Sequence, residues 1–461
     1  MTTQSLTLPQ NLSLPTVNPL LSGAILPTLL RLSLPNTVAM AATSLVAIAE
    51  TAYVGAFGTT ALAGLTLVFP MAMLQQMMSA GAMGGGVSSA ISRALGAKDE
   101  ARAAALALHA LVIGTTAGLI FTAIFLMFGA DIYRALGGRG EILQKAVAYS
   151  NVVFLGAIPV WLTNTLSSII RGGGNMKVPS LTLLSAASGQ ILIGGSLGFG
   201  LGPFPQLGMP GVALGQVIAF GASALFLLWY LTAEPARVTL SLRGTALQWP
   251  LFRDILKVGA LACISPLQTV LVILVLTRLV SAFGTEALAG YGIGTRLEFL
   301  LVPITFGIGV ACVPMVGMAI GAGQIARARQ VAWTGGVLAA VTVGSVGVVV
   351  ALRPELWVGL FTNEAAVLAS AASYFRWAGP CYGLFGLGLC LYFASQGSGK
   401  MLGPVLAGTV RLLVVAIGGW WLTASDAPTW SLFALVGLAM AAYGIATALA
   451  VYVVSWGTEP T

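Results

Sequence analysis

Charge is what this sequence has least of. Only 7% of its 461 residues are Asp, Glu, Lys or Arg, whereas soluble globular proteins carry about 25%. Residues 51–92, 178–233 and 299–326 contain no charged side chain at all. Each stretch is longer than the roughly 20 apolar residues that cross a bilayer as a helix. The shortage of charge therefore excludes a soluble globular fold and indicates a polytopic membrane protein.

Histidine, cysteine and catalytic motifs are also scarce. The chain has one histidine, His109, and four cysteines that all lie in apolar stretches without metal-ligand spacing. The glycine-rich segment RGGGN at residues 171–175 lacks the Lys-Ser/Thr ending of a phosphate-binding loop. We therefore expect no enzyme activity, no bound metal and no organic cofactor.

Apolar residues make up 57% of the chain and fall into runs separated by charged or Gly/Pro-rich breaks. Because each run is long enough to cross a bilayer, the sequence predicts an all-α polytopic membrane protein with twelve transmembrane helices. The predicted spans lie near residues 27–55, 60–93, 103–128, 142–170, 178–200, 210–232, 252–282, 286–320, 327–351, 366–396, 403–423 and 430–456.

Basic residues are distributed unevenly about these spans. Fourteen of the 21 fall in the N-terminal tail and the even-numbered loops, with Arg411 counted among them. Because basic residues stay on the cytoplasmic side, we expect both termini in the cytoplasm. This bias accounts for the net charge of +8 and leaves no need for a nucleic-acid partner.

The second half of the chain repeats the first at an offset of 225–226 residues. FGTTALAG at residues 57–64 recurs as FGTEALAG at 283–290, and RGGGNMKVP at 171–179 corresponds to QGSGKMLGP at 396–404. An even number of spans per copy makes the two six-helix bundles parallel, related by a pseudo-two-fold axis along the membrane normal. The expected organisation is a cytosolic tail (1–26), an N-terminal lobe (27–232), a cytosolic linker (233–251), a C-terminal lobe (252–456) and a C-terminal tail (457–461).

The repeated blocks, together with TAYVGAFG at residues 51–58, resemble the multidrug and toxic compound extrusion family along nearly the whole chain. The resemblance implies two six-helix lobes and the export of organic compounds, often cationic drugs, driven by inward proton or sodium flow. It also implies an acid in the first span before a Thr and a Val-Gly pair, a place taken here by Glu50. Other branches of the family carry further acidic residues in the fifth, seventh or tenth spans. Here the fifth span has Gln190 and no acid, and the residues near Thr269 and in 377–396 are uncharged. The chain looks closer to the DinF-like branch than to the sodium-coupled NorM branch.

Glu50 lies deep in the first span, where charged residues usually face a cavity. Asn36, Thr43 and Glu50 recur every seven residues and share one helix face. Burial favours the neutral form of a carboxyl group, so we expect Glu50 to bind a proton, supported by Asn36, Thr43 and Gln190, and to release it when wetted. Protonation and substrate binding should then exclude one another. The alternative is a structural hydrogen bond to a neighbouring helix.

The proton is the favoured coupling ion, and sodium is the alternative. Sodium wants about six oxygen ligands or a close equivalent, and Glu50 with Asn36 and Thr43 makes a thin set. At the repeat offset Glu50 corresponds to Leu276. Ion coupling is therefore expected in the N-terminal lobe alone.

A cavity between the lobes is expected to receive side chains from several spans. Methionines adapt to different ligands, and Arg296 and Glu298 are charges well inside the eighth span, with Arg278 the expected partner of Glu298. Ordinary helix packing and a structural ion pair are the alternatives. The expected cavity residues are Met73, Met77, Trp161, Asn164, Arg296 and Glu298.

These observations together predict an alternating-access antiporter. It would act as a monomer in a bacterial inner membrane and export small amphipathic organic cations against protons. One alternative keeps transport but makes the cargo an anionic or zwitterionic metabolite, bound by Arg278 and Arg296. The other is a non-transporting membrane scaffold or receptor.

Overall fold

A computed structural model describes residues 18–457 apart from 234–236, 239, 241–245 and 426. The described residues form helices joined by turns and short loops. Most of the predicted N-terminal tail, part of the predicted linker and residues 458–461 of the predicted C-terminal tail lie outside the described residues.

Eleven helices of the described residues are long and apolar enough to cross a membrane, and a bent pair of helices makes a twelfth span. This confirms the predicted all-α fold, with span boundaries within three residues of the predicted ones except at the end of the third span, which lies seven residues later at Ala135. The spans are α1 (Ile25–Gly55), α2 (Thr59–Gly96), α3 (Glu100–Ala135), α4 (Gly140–Leu155 and Ala157–Gly172), α5 (Lys177–Phe199), α6 (Met209–Thr232), α7 (Trp249–Ala282), α8 (Thr285–Gly321), α9 (Ile325–Leu352), α10 (Ala365–Ser398), α11 (Leu402–Ala424) and α12 (Thr429–Val453).

The sequence repeat has a counterpart in the backbone. Gly58 and Gly284 precede α2 and α8 and both have a φ of +106°, a conformation that only glycine adopts at little cost. The fourth span of each half is also interrupted at the same place in the repeat. The α4 helix bends by 43° at Gly156, and a 3₁₀ turn at Gly379–Cys381 divides α10.

The cores of the two lobes merge at one end of the molecule. We call this end, where α1 begins and α12 ends, the terminal face. Here residues of both lobes form one buried cluster that contains the last turns of α2 and of α8, such as Ile91 and Val316. In the opposite half each lobe has its own core, built around Phe154 in the N-terminal lobe and around Tyr374 in the C-terminal lobe. The lobes are thus joined at the terminal face and separate beyond it.

Backbone contacts and ion pairs close the terminal face. A Cβ atom added to Gly96 would lie 2.2 Å from the Met318 carbonyl oxygen, and one added to Gly321 would lie 2.0 Å from the Arg93 carbonyl oxygen. The helices therefore approach too closely there for any side chain. Arg93 and Arg102 of the N-terminal lobe each place a guanidinium nitrogen 2.8 Å from a carboxylate oxygen of Asp254 at the start of α7.

Replacing Asp254 with Asn should loosen this closure, because one carboxylate holds both arginines. Partly exposed ion pairs contribute about 0.2–1 kcal/mol each, so the loss of both should cost about 1 kcal/mol, which corresponds to about a fivefold change in the open population. We expect the Cys312 thiol, which is fully buried in the shared core, to react about fivefold faster with maleimide. The measurement uses purified protein in which the other three cysteines are Ser.

The matched control is Asp131→Asn, because Asp131 pairs with Arg134 within α3 and on the exposed surface. Its labelling rate should equal that of the parent. Equal rates in the parent and in Asp254→Asn would show that the ion pairs do not contribute to closure.

Candidate functional site

Glu50 meets a neighbouring helix in the N-terminal lobe. The Gln190 Nε2 atom of α5 donates a hydrogen bond of 2.7 Å to Glu50 Oε1 on α1. Tyr149, buried on α4, lies against the same carboxyl group. We call these three residues the Glu50 cluster. It combines one half-buried carboxyl with two groups able to donate hydrogen bonds, in a region between three helices of one lobe.

The other two members of the predicted polar face of α1 do not reach Glu50. At about 1.5 Å of rise per residue, Thr43 lies about 10 Å and Asn36 about 21 Å along the helix. The Thr43 hydroxyl donates within its own helix to the Met40 carbonyl, at 2.6 Å. Asn36 is completely buried, and neither atom of its amide has a partner among the described residues. The seven-residue spacing placed them on one face but could not place them in one site.

A cavity of about 380 Å³ lies where the lobes separate. Met73 and Met77 of α2 form its wall on the N-terminal side, and most of the remaining wall comes from the C-terminal lobe. Its lining is mainly apolar and aromatic and includes two charged side chains, Glu298 on α8 and Arg411 on α11. A volume in this range suits a small organic molecule.

Glu298 is held by tyrosines of α10. The Tyr374 hydroxyl donates a hydrogen bond to Glu298 Oε1, and Tyr382 lies next to the same carboxyl group. Tyr374 is the repeat equivalent of Tyr149. Each lobe therefore sets the same tyrosine against a carboxyl group, although the carboxyl groups come from non-equivalent helices, α1 and α8.

Three predicted cavity residues lie outside the cavity lining. Trp161 is buried against Phe121 within the N-terminal lobe. Arg296 is exposed on the other side of α8 and stacks over the Phe361 ring, 5.2 Å from its centroid. Residues two apart on a helix do not share a face, which explains why Arg296 and Glu298 diverge.

Asn164 is the third of these residues, and it supports a distorted turn of α2. Met77–Met83 form a π-helical turn, a distortion that often occurs at functional sites. The Asn164 Nδ2 atom donates a hydrogen bond of 2.8 Å to Ser79 Oγ in this turn. The same turn places Met77 and Gly81 in the cavity wall, so Asn164 contacts the back of the wall.

Sequence reasoning missed Arg411, the second charged residue of the cavity, and did not single out Tyr149 and Tyr374. The charge bias groups Arg411 with the cytoplasmic loops although the predicted eleventh span contains it, and in the structure Arg411 lies about 14 Å into α11 at 1.5 Å per residue. The repeat already indicates that Arg411 lies inside a span, because it follows the QGSGKMLGP block that marks where this span begins. The predicted partner of Glu298, Arg278, is exposed and forms no salt bridge among the described residues.

Two regions of the chain, residues 35–194 and 262–421, match the MatE family model. Their starting points are separated by about the repeat offset. The chain is 24% identical over 356 residues to a probable multidrug resistance protein NorM of Thermotoga maritima, covering 77% of this chain and 76% of that protein. It is 25% identical over 316 residues to an FAD transporter of Shewanella oneidensis, covering 68% and 69%.

The fold is also that of solved transporters. The structure of an outward-facing multidrug resistance MATE family transporter superposes with a TM-score of 0.85 and 23% sequence identity. The superposition covers 93% of this chain and 96% of that one.

Replacing Tyr374 with Phe should destabilise the C-terminal lobe. The change leaves the half-buried Glu298 carboxyl group without its hydrogen-bond donor, and the loss of a hydrogen bond to a buried group costs about 1–3 kcal/mol. We expect a lower melting temperature of the detergent-purified protein. Tyr452→Phe is the control because Tyr452 is 69% exposed, and an equal melting temperature for both variants would contradict the assigned contact.

Proposed function

This chain belongs to the MatE family of multidrug and toxic compound extrusion transporters, and we propose that it is an antiporter that exchanges small amphipathic organic cations for protons. Members of the family are transporters and not enzymes, which argues against the scaffold alternative. The observation that carries the proposal is the division of charge between the lobes. The Glu50 cluster lies within the N-terminal lobe, while the cavity charges, Glu298 and Arg411, belong to the C-terminal lobe.

A proton is the ion that best suits the Glu50 cluster. Gln190 presents an N–H group to the carboxyl oxygen, and the Thr43 hydroxyl is used within its own helix. A sodium ion needs several oxygen ligands at short distance, and these neighbours supply few. The protonation of a carboxyl group depends on its exposure to water, so proton binding and release can follow changes in that exposure.

Coupling then follows from the two conformations of the lobes. The terminal face is closed in this structure, and the cavity lies on the opposite side, where the two lobes are separate. A transporter that binds proton and cargo in different conformations links the two fluxes, because the effect of each ligand on the other is reciprocal. We propose that protonation of Glu50 favours the conformation that releases cargo.

The cavity lining supports an amphipathic cargo. Methionine and aromatic side chains adapt to apolar ligands of different shape, and Met73, Met77, Phe306 and Tyr291 all line the cavity. Glu298 supplies the negative charge that a cationic group requires. Together these features suit organic cations with an apolar aromatic body.

A cargo with an acidic group is the second candidate, and Arg411 favours it. Arg278 and Arg296, the residues predicted for this role, lie outside the cavity lining. Arg411 places a permanent positive charge there instead. The Shewanella oneidensis relative is named as a transporter of FAD, which is itself an anionic compound.

We further propose that the protein acts as a monomer in a bacterial inner membrane, within the DinF-like branch of the family. One chain supplies both walls of the cavity, so a second copy is not needed to complete it. With both termini in the cytoplasm, as the distribution of basic residues predicts, the described conformation is closed to the cytoplasm and faces outward.

Glu50→Gln should abolish proton-coupled export, because the amide fills the same volume but cannot release a proton. We expect ethidium transport into inverted vesicles to fall more than tenfold relative to the parent. Transport by the parent should respond to an imposed pH gradient and not to a sodium gradient. The measurement is ethidium fluorescence under each gradient in turn.

The control is Glu286→Gln, which changes an exposed carboxylate in the first turn of α8 and should leave transport unchanged. Undiminished transport by Glu50→Gln would make Glu50 a structural residue. A response to sodium alone would replace the proton as coupling ion, and no ethidium transport by the parent would contradict the cationic cargo.

A further inference from the structure

Arg411 places a guanidinium group inside the membrane-spanning region, in the lining of the cavity. It forms no salt bridge with any described residue, and its Nε atom is buried without a hydrogen-bond partner among them. Its guanidinium lies over the Phe385 ring, whose centroid is 5.0 Å from the Arg411 Cζ atom. A cation at membrane depth usually pairs with an anion or faces a functional cavity. Arg411 faces the cavity.

Glu298 does not neutralise Arg411 directly. The two side chains line one cavity, yet each is held by its own neighbours. Tyr374 donates to the Glu298 carboxyl group, while Phe385 holds the Arg411 guanidinium by a cation–π contact. Because each side chain has its own neighbours, the positive Arg411 and the negative Glu298 both remain in the lining of the same cavity.

Two polar residues of α7, Ser265 and Gln268, share the cavity lining with Arg411. Gln268 lines the cavity from α7, and its Nε2 atom donates to Thr409 Oγ1 on α11 at 2.8 Å. The Gln268 Oε1 atom and the Ser265 Oγ atom have no partner among the described residues. Both residues belong to the same lining as Arg411. The polar part of the lining therefore includes side chains of α7 as well as Arg411.

We propose that Arg411 binds the acidic group of a zwitterionic aromatic substrate whose cationic group lies at Glu298. The inference rests on the proposed export function and defines its cargo more narrowly. A guanidinium binds a carboxylate through two parallel hydrogen bonds, so the acid end of the substrate has a defined orientation. The apolar body of the substrate lies against Phe306 and the methionines of α2. A substrate with both charges pairs with both Glu298 and Arg411, whereas a simple cation leaves Arg411 without a salt bridge.

Two forms of one dye test this assignment. A rhodamine with a free carboxylate is a zwitterion, and the methyl ester of the same dye is a cation with the same apolar body. Binding to purified protein in lipid nanodiscs is measured by fluorescence anisotropy. We expect the wild type to bind the free acid about tenfold or more tightly than the ester, the value for one charge-assisted hydrogen-bond pair.

Arg411→Gln should remove this preference by weakening the free acid about tenfold while leaving the affinity for the ester unchanged or improved. Arg411→Lys keeps the charge and should retain part of the preference. Arg296→Gln is the matched control, because Arg296 also stacks on a phenylalanine of the C-terminal lobe but lies outside the cavity lining. It should bind both dyes as the wild type does.

The possible results separate this inference from the proposed function. If the wild type binds the ester as tightly as the acid, the anion site is wrong and cation export stands. If it binds the acid but not the ester, the anion site stands and the cationic cargo is wrong. Equal losses for both dyes in Arg411→Gln, or a misfolded Arg411→Gln with no preference retained in Arg411→Lys, would make Arg411 structural. If the wild type binds neither dye, both proposals are wrong.

Discussion

The cavity depends on one constraint, the shared core of the two lobes at the terminal face. Buried residues of both lobes form a single cluster there. The cavity exists because the lobes do not pack together along the rest of their length. Beyond that cluster each lobe satisfies its apolar residues internally. Each lobe therefore keeps a core of its own where the lobes separate, and the side chains of the cavity lining can contact a guest molecule.

The charged side chains within the spans have different surroundings in the two lobes. In the N-terminal lobe, Glu50 is paired with an amide that bridges two helices, α1 and α5. In the C-terminal lobe, Glu298 and Arg411 face the same cavity without a direct salt bridge. The duplicated backbone therefore carries unequal chemistry. The shared element is the tyrosine pair, Tyr149 and Tyr374, which supplies a hydroxyl beside a carboxyl group in either lobe.

Sequence reasoning predicted the fold well because membrane helices are long and apolar, and a repeat of two matched halves restricts the topology. It predicted less of the site, because a helix pattern gives the face of a residue but not its partners on other helices. Asn36 and Thr43 share a face with Glu50 and still lie too far along α1. The position of Asn164 behind the cavity wall depends on the π-helical turn of α2, and no spacing rule predicts such a turn. Arg411 is hard to recognise from sequence because a single basic residue in a span also fits the bias of basic residues toward the cytoplasmic side.

The close approach of Gly96 and Gly321 to the opposing backbone has an evolutionary consequence. Side chains cannot be added there without displacing a main-chain carbonyl, so drift in sequence at the closing contact is limited to very few residues. The cavity wall, built from methionine and aromatic side chains, accepts substitution far more readily, because such side chains repack around one another. Descendants of this chain can therefore change what they carry while the contact that closes the terminal face is inherited almost unaltered.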